Sequence, residues 1–178
     1  RMESGLDIFS RMLGREERYQ FPAPLDEYVR GALTYAQMLT AYRAYKVFLN
    51  VNSVTSSPSM CARRIFEITA SGTPVVSTPS AAIGEFFAAD EVLEVSDAAT
   101  AEQLLRALVA NPALRDRMVH RGQRRIWTGH TYCHRVNEIL ERVGCSSSVV
   151  ADPTVSALAV TNRPHQVEHV LRQLAGQR

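Results

Sequence analysis

Three short apolar runs, separated by segments with helical signals, constrain the fold of this chain most strongly. The runs are VFLNV at 47–51, TPVVS at 73–77 and EVLEV at 91–95. Apolar runs this short are typical of strands buried in a parallel sheet. Strands and helices that alternate along a chain form βαβ units, and the crossover rule then places helices on both faces of the sheet. The sequence therefore predicts an α/β fold in which helices flank a parallel sheet.

Capping and stop signals predict the remaining elements. Ser57 or Ser59 is expected to open the helix after the first run, because serine beside proline is typical of a helix start. That helix is expected to end near Gly72, since glycine is a natural helix stop. The same signals predict a strand at 6–10 and helices at 35–45, 82–88, 97–109, 111–128 and 131–143.

Length and charge bound the class of protein. A chain of 178 residues suits one domain, or one domain with part of another. Its net charge of +2 is too small to indicate nucleic acid as a partner. No apolar run reaches the roughly 18 residues of a transmembrane helix, so no transmembrane segment is expected. The start at Arg1, without a signal-peptide pattern, indicates a segment excised from a longer protein.

Cysteines and histidines give no support for a disulfide framework or a metal site. The three cysteines are odd in number and lack CxxC spacing, which favours a reduced, cytoplasmic setting. Two histidine pairs, 130/134 and 165/169, have the spacing of one helix face, but neither carries the acidic residue of an HExxH motif. Surface or capping histidines, and no metal, are therefore expected.

Polar and basic residues follow the first apolar run. SVTSSPSM at 53–60 carries five hydroxyl groups beside the predicted helix start, where unpaired N–H groups and the helix dipole attract an anion. Arg63 and Arg64 are expected about one turn inside that helix, where they would contact phosphate. Asn52 and Thr78 follow two neighbouring strands, at the edge where such sheets bind ligands. Asn52, Ser57, Ser59, Arg63, Arg64 and Thr78 are therefore candidate ligand-binding residues.

Glu67 is the candidate that would hold a sugar. It follows Arg64 by three residues and Ser59 by eight, so the predicted helix places all three on one side. A carboxylate there would accept hydrogen bonds from two adjacent sugar hydroxyls, as acidic residues do for ribose in dinucleotide-binding folds. Spacing alone leaves an alternative open, in which the serines only cap a helix and Arg64 forms a surface ion pair with Glu67.

Two longer stretches resemble a known family. RRIFEITASGTPVVSTPSAAIGEFF at 63–87 resembles the glycosyltransferase group 1 signature, and the stretch at 104–140 resembles that group's usual ending of helices and an H-T-Y segment. With SSPSMCARRIFE, the chain is most similar to the branch that includes CgeB-like spore-maturation glycosyltransferases. The resemblance covers residues 6–144. It implies the Rossmann-like, nucleotide-sugar-binding C-terminal half of a two-domain GT-B enzyme of retaining type.

The resemblance also implies roles for single residues. Glu67 matches the glutamate that holds the ribose hydroxyls, and Arg64 matches a basic residue that faces the diphosphate. Many relatives carry a second glutamate eight residues earlier, where this chain has Ser59. Serine supplies no charge there, so contact with the donor sugar is expected to differ. The implied partners are a nucleotide diphosphate sugar, as substrate without a cofactor, and an acceptor-binding N-terminal domain of the parent protein.

The last residues give a separate signal. The stretch at 146–153 is predicted to be a linker, and VSALAV at 155–160 precedes a helical pattern with valine and leucine at 167, 170, 171 and 174. Asn162-Arg163-Pro164 resembles the strand-end turn that opens GT-A-type family 2 glycosyltransferases. Residues 154–178 are therefore either the truncated start of a second module or a terminal strand and helix packed on the first domain, 1–145.

Several other residues have ordinary structural interpretations. Trp127 is expected in the core between the last helices, with a stacking platform as the alternative. Three tyrosines near the first helix, at 35, 42 and 45, are expected to pack against the sheet, with one of them bordering the base pocket as the alternative. The basic run at 117–126 places arginines on more than one helix face, which is typical of a solvated surface. No GxGxxG or Walker A motif is present, which argues against a dinucleotide dehydrogenase or a P-loop ATPase.

The sequence thus predicts a glycosyltransferase fragment that binds the donor weakly and transfers little sugar alone. One alternative is a non-catalytic nucleotide-binding or scaffolding module, in which serine at 59 marks a lapsed donor site. A flavodoxin-like regulatory domain is a weaker alternative. It would need clustered acidic residues at the strand ends, where this chain has asparagine, serine and threonine.

Overall fold

The computed structural model describes residues 5–145, 158 and 160–176. Its strands form two parallel sheets. In the first, β1 (Ile8–Phe9) pairs with β2 (Val29–Gly31). The second contains β3 (Phe48–Asn50), β4 (Val75–Ser77) and β5 (Leu93–Glu94), in that spatial order. The three apolar runs are therefore adjacent parallel strands, which confirms the predicted α/β, Rossmann-like parallel sheet flanked by helices.

Seven α-helices connect or follow these strands in the described part of the chain. They are α1 (Tyr35–Ala44), α2 (Arg63–Ala70), α3 (Ala81–Phe86), α4 (Ala98–Ala110), α5 (Pro112–Gly129), α6 (Tyr132–Arg142) and α7 (Val167–Ala175). Short 3-10 turns lie at Glu17–Tyr19, Asp26–Tyr28 and Pro164–Gln166. The predicted starts of α1, α4 and α5 agree with the structure to within one residue, because Thr34, Asp97 and Asn111 each accept a backbone N–H of the first turn. The short strand β2 was not predicted.

The predicted start of the second helix is wrong. That helix, α2, begins at Arg63 because Ala62 before it is extended, with φ −64° and ψ 121°. The Ser57 hydroxyl instead accepts the backbone N–H of Met60 at 3.2 Å, so it closes a turn within the loop. The predicted end is correct, since Gly72 follows the helix with φ +88°, a conformation that glycine adopts without strain.

The core has two layers because neighbouring valines of β4 point to opposite faces of the sheet. Val75, with no exposed surface, joins a cluster built from α1, α2, α3 and the end of α5. Val76, 2% exposed, joins Leu108 and Met118 of α4 and α5 on the other face. Helices thus cover both faces of the sheet, as the crossover rule predicts.

The placement of Trp127 corrects a sequence-based expectation. Its side chain is 61% exposed, outside the core. The buried residues of α5 are Met118, Gly122 and Ile126, which repeat every four residues and define one face of the helix. Trp127 lies about 100° further round the helix than Ile126, which turns it away from that face.

The chain divides into two compact units, Arg1–Arg135 and Val136–Arg178. The first contains both sheets and all of the candidate ligand-binding residues. The second contains the end of α6 and the helix α7, which confirms the predicted helical pattern after 166. The predicted linker at 146–153 lies outside the described residues, as does most of the predicted strand at 155–160. The domain boundary after 145 therefore stays a prediction. Among the described helices, none is long and apolar enough to cross a membrane.

Candidate functional site at the carboxyl edge of the sheet

The ends of β3 and β4 are joined by a network of buried polar side chains. The strand register pairs Asn50 with Ser77, and their exposed fractions are only 2% and 1%. The Asn50 amide donates to the Ser77 hydroxyl and to the Asn52 side-chain oxygen, both at 2.9 Å. The sequence points to Asn52 and Thr78, which follow these strands, but not to the buried pair, because a side-chain contact across strands depends on their register.

Asn52 and Thr78 are brought together, as predicted, but Asn52 is committed to the protein. Its side-chain N–H groups donate to the Ser77 hydroxyl at 3.0 Å and to the Thr78 carbonyl at 2.6 Å. Its backbone N–H donates to the Thr78 hydroxyl at 2.9 Å, which leaves that hydroxyl free to donate to a ligand. Asn52 therefore stabilises the edge of the sheet, and Thr78 is the better hydrogen-bond donor to a ligand.

The hydroxyl-rich loop lies before α2 and leaves the helix start without a side-chain cap. Ser57 and Ser59 are 3.5 Å apart through their hydroxyl oxygens, and Ser59 is exposed. Ala62, at the cap position, offers no side-chain acceptor. Within the described residues, the backbone N–H groups of Arg63 and Arg64 donate no hydrogen bond. The first turn of α2 therefore presents donors at the carboxyl edge, where an anion is stabilised.

Glu67 lies one turn into α2, where two side chains meet one of its oxygens. Its Oε1 accepts a hydrogen bond from the Tyr35 hydroxyl at 3.2 Å and forms an ion pair with the Arg63 Nε at 3.1 Å. The Glu67 side chain is 15% exposed and that of Arg63 is 68% exposed, so this ion pair contributes little to stability. Because α2 begins at Arg63, both arginines lie in its first turn rather than one turn inside.

The alternative ion pair between Arg64 and Glu67 is not formed. Arg63 occupies that carboxylate, at i,i+4 spacing, and Arg64 is exposed. Within the described residues, Arg64 makes no hydrogen bond or ion pair. The guanidinium that the resemblance assigns to the diphosphate is therefore available to an anion.

Tyr35 borders the candidate site. The sequence predicts that the tyrosines near the first helix pack against the sheet, with one of them bordering the base pocket as the alternative. The Tyr35 side chain is 57% exposed and does not pack against the sheet, whereas Tyr42 on the same helix is 5% exposed. The hydrogen bond to Glu67, followed by the charge of that carboxylate, raises the pKa of Tyr35. The hydroxyl therefore stays protonated and remains a donor at neutral pH. The Glu67 charge, with a smaller contribution from Tyr132, likewise raises the pKa of Arg63.

A second carboxylate lies near the same edge on β5. Glu94 is paired in register with Ser77, and its Oε1 accepts the backbone N–H of Ser80 at 2.8 Å. Ser80 is the capping residue of α3, so Glu94 fixes the loop that follows Thr78. Burial, with a contribution from Glu94, raises the pKa of the Cys61 thiol. The sequence did not indicate a role for Glu94 at this edge, because its position fits an ordinary strand residue.

The basic run on α5 lies at the other end of β5 and is partly neutralised. The Arg125 Nε donates to Glu91 at 2.9 Å, and Arg121 forms an ion pair with Asp90. A shallow open depression there is lined by Glu91, Arg121, Arg124, Arg125 and Thr128. Paired charges of both signs are typical of a solvated surface, as predicted, and do not indicate an anion site.

His130 and His134 make contacts within the protein that are typical of structural residues. His134 is 2.6 Å from the Thr131 hydroxyl, a capping contact at the start of α6. The His130 ring packs among the rings of Phe66, Phe86 and Phe87. In the part of the chain that the structure describes, no group of three or more histidine, cysteine, aspartate or glutamate residues is placed to hold a metal ion.

The chain was compared with known protein families, with curated proteins and with solved structures. A family model described as glycosyl transferase-like matches residues 6–141, which include both sheets, α2 and the whole carboxyl edge. Comparison with curated proteins and with solved structures gave no match. The family match covers well over half of the 178 residues. The chain therefore belongs to the glycosyl transferase-like family.

Proposed function

We propose that this chain binds the nucleotide diphosphate sugar donor of a glycosyltransferase of the GT-B type. The observation that carries the proposal is Glu67, a mostly buried carboxylate one turn inside a helix that starts at the carboxyl edge of a parallel sheet. Its second oxygen, Oε2, accepts no hydrogen bond from the described residues. A ribose places adjacent hydroxyl groups where such an oxygen accepts them.

The diphosphate would lie beside the first turn of α2. The uncapped N–H groups there, the free Arg64 guanidinium and the Thr78 hydroxyl are donors to phosphate oxygens. Negative charge grows on the diphosphate as the bond to the sugar breaks, and such donors stabilise it. The contribution of this chain to catalysis is therefore stabilisation of the leaving group, without a cofactor or metal.

The acceptor would bind to an N-terminal domain of the parent protein that is not part of this chain. Transfer requires both halves to close over the donor, because closure excludes water and aligns the reacting groups. We therefore expect the isolated chain to bind nucleotide weakly and to transfer little or no sugar. A measured turnover by the isolated chain would contradict this division of labour.

Similarity to the CgeB-like branch is part of the same proposal. The departure at Ser59 lies in an exposed loop before α2, where a serine hydroxyl supplies no charge to the donor sugar. Sugar selectivity is therefore expected to depend on other residues of this edge or on the acceptor domain. A cytoplasmic location fits the use of a nucleotide sugar and remains part of the proposal.

Equilibrium titration with uridine and guanosine diphosphates and their sugars tests the proposal. We expect saturable binding by the unmodified chain and a loss of about ten-fold or more in Glu67→Gln, because a hydrogen bond to a charged group is removed. Glu102→Gln is the matched control, since Glu102 also pairs with an arginine at i,i+4 spacing, on the exposed surface of α4. Absence of saturable binding by every nucleotide would favour the scaffolding alternative.

A further inference from the structure

The carboxylate of Glu67 is used asymmetrically by the protein. Its Oε1 accepts a hydrogen bond from the Tyr35 hydroxyl at 3.2 Å and forms an ion pair with the Arg63 Nε at 3.1 Å. Both contacts fall on the same oxygen, so Oε1 is the oxygen that the protein holds. Among the described residues, none donates a hydrogen bond to Oε2. The open oxygen of the carboxylate is therefore Oε2.

Tyr35 is held in place by its own helix rather than by the core. It is the first residue of α1, where Thr34 and Gln37 form a reciprocal capping box with bonds of 2.9 Å and 3.3 Å. The helix α1 packs against α2, which carries Glu67. Yet the Tyr35 side chain is 57% exposed, so hydrophobic burial does not explain its direction. The hydrogen bond to Glu67 is the specific contact of this side chain.

Of the two side chains that contact Oε1, Tyr35 is the better fixed. Arginine has four rotatable side-chain bonds and loses more conformational entropy on fixing than tyrosine, which has two. The Arg63 side chain is also 68% exposed and begins at the first residue of its helix, where it is free to turn toward an anion. The orientation of the carboxylate in the presence of a ligand therefore depends mainly on Tyr35.

We infer that Tyr35 is a positioning residue, whose hydroxyl holds Oε1 of Glu67 so that Oε2 accepts the hydroxyl groups of the ligand ribose. The inference rests on the proposed function and adds a residue and a selectivity to it. With Oε1 held by Tyr35 and Arg63, Oε2 is the oxygen open to the ribose hydroxyls, and a missing 2′-hydroxyl costs a charge-assisted hydrogen bond. The site therefore selects ribonucleotides over 2′-deoxyribonucleotides through a carboxylate that Tyr35 orients.

The test compares ribose and 2′-deoxyribose forms of uridine and guanosine diphosphate by calorimetric titration. For the unmodified chain we expect the ribose form to bind about ten-fold more tightly. In Tyr35→Phe, which removes only the hydroxyl, we expect weaker binding of the ribose form, by about three- to ten-fold, and little change for the deoxy form. The ratio of the two dissociation constants, deoxy form to ribose form, therefore falls toward one. The thermal unfolding midpoint of the protein stays unchanged, because Tyr35 is exposed.

Tyr45→Phe is the matched control. The Tyr45 hydroxyl donates to the Asp7 carboxylate at 2.8 Å, the same chemistry at the other end of α1. We expect this variant to keep the full preference for ribose. An equal loss for both sugar forms in Tyr35→Phe, or an unchanged preference, overturns the inference and leaves the proposed function standing. Failure of the unmodified chain to bind any of the four nucleotides overturns the proposed function and the inference together.

Discussion

Asn50 shows how single polar residues set the geometry of the carboxyl edge. Asn50 is only 2% exposed, and its side-chain amide donates hydrogen bonds to both Ser77 and Asn52. Its side-chain oxygen is buried without a partner among the described residues. The two hydrogen bonds of its amide hold together the ends of β3 and β4, which position Thr78.

We predict that Asn50→Ala destabilises the fold by about 1–3 kcal/mol, because Ser77 and Asn52 lose a buried hydrogen-bond donor. Urea unfolding measures the change in the free energy of unfolding. Leu49→Ala is the control on the same strand, since Leu49 is 49% exposed and its truncation leaves no buried polar group unpaired. Equal destabilisation by both variants would show that the polar network contributes nothing specific.

His130 predicts a dependence of stability on pH. Burial, followed by the charges of Arg135 and Arg125, lowers the pKa of His130 from the ordinary 6.5. As pH falls, the unfolded chain therefore takes up the proton first, so the free energy of unfolding decreases from about pH 6.5 down to the folded-state pKa. Below that pKa this contribution is constant.

The measurement is the free energy of unfolding against pH for the unmodified chain and for His130→Phe. We expect the free energy of unfolding of the variant to decline less below pH 6.5, because phenylalanine has no group that titrates. Phenylalanine also suits this position, since three phenylalanine rings surround it. His120→Phe makes the same change at an exposed position of α5 and is expected to keep the decline. Identical pH profiles for all three proteins would contradict the account.

Residues near each other in sequence were predictable, and contacts between distant elements were not. Glu67 was identified from its position in a helix and from family resemblance, and it lies one turn into α2 at the carboxyl edge. The sequence could not single out Tyr35 among the three tyrosines, because its contact with Glu67 joins residues 32 positions apart.

At the scale of elements, the close contact of α2 with α5 sets the position of the site helix. A Cβ atom added at Gly122 would lie 2.6 Å from the Thr69 Cγ2, and Thr69 is only 3% exposed. Glycine at this position therefore allows α5 to approach α2 closely. Because α2 carries both arginines and Glu67, a shift of this helix also moves the candidate site.

We predict that Gly122→Ala destabilises the fold by about 1–3 kcal/mol through overpacking, despite the higher helix propensity of alanine. Gly129→Ala is the control on the same helix, because a Cβ atom there meets nothing within 4 Å. Propensity alone then favours that variant by up to about 1 kcal/mol. Chemical denaturation compares the two, and stabilisation by both would contradict the close approach of the helices.

The start of α2 shows where sequence patterns reach their limit. Serines beside a proline are equally suited to cap a helix or to close a turn, because in both cases a hydroxyl accepts an N–H nearby in sequence. Here the Ser57 hydroxyl accepts the N–H of Met60, and the helix starts three residues later, at Arg63. The short strand β2, at 29–31, was missed because three residues carry no periodic signal.

At the scale of the whole molecule, the two ends of the three-stranded sheet differ in their chemistry. The carboxyl edge carries uncapped helix N–H groups, an unpaired arginine at 64 and the open oxygen of Glu67. The opposite edge carries arginines of α5 that are paired with Asp90 and Glu91. An anionic ligand with a sugar attached is therefore expected at the first edge only.

A nuclear magnetic resonance titration of the ¹⁵N-labelled chain with uridine or guanosine diphosphate tests this central claim most directly. We predict that the largest amide shift changes occur at Arg63, Arg64, Glu67 and Thr78, with Tyr35 among the affected residues. The amides of 121–128 on α5 are expected to change little and serve as the internal reference. Shift changes concentrated on α5, or none at saturating nucleotide, would contradict a donor site at the carboxyl edge.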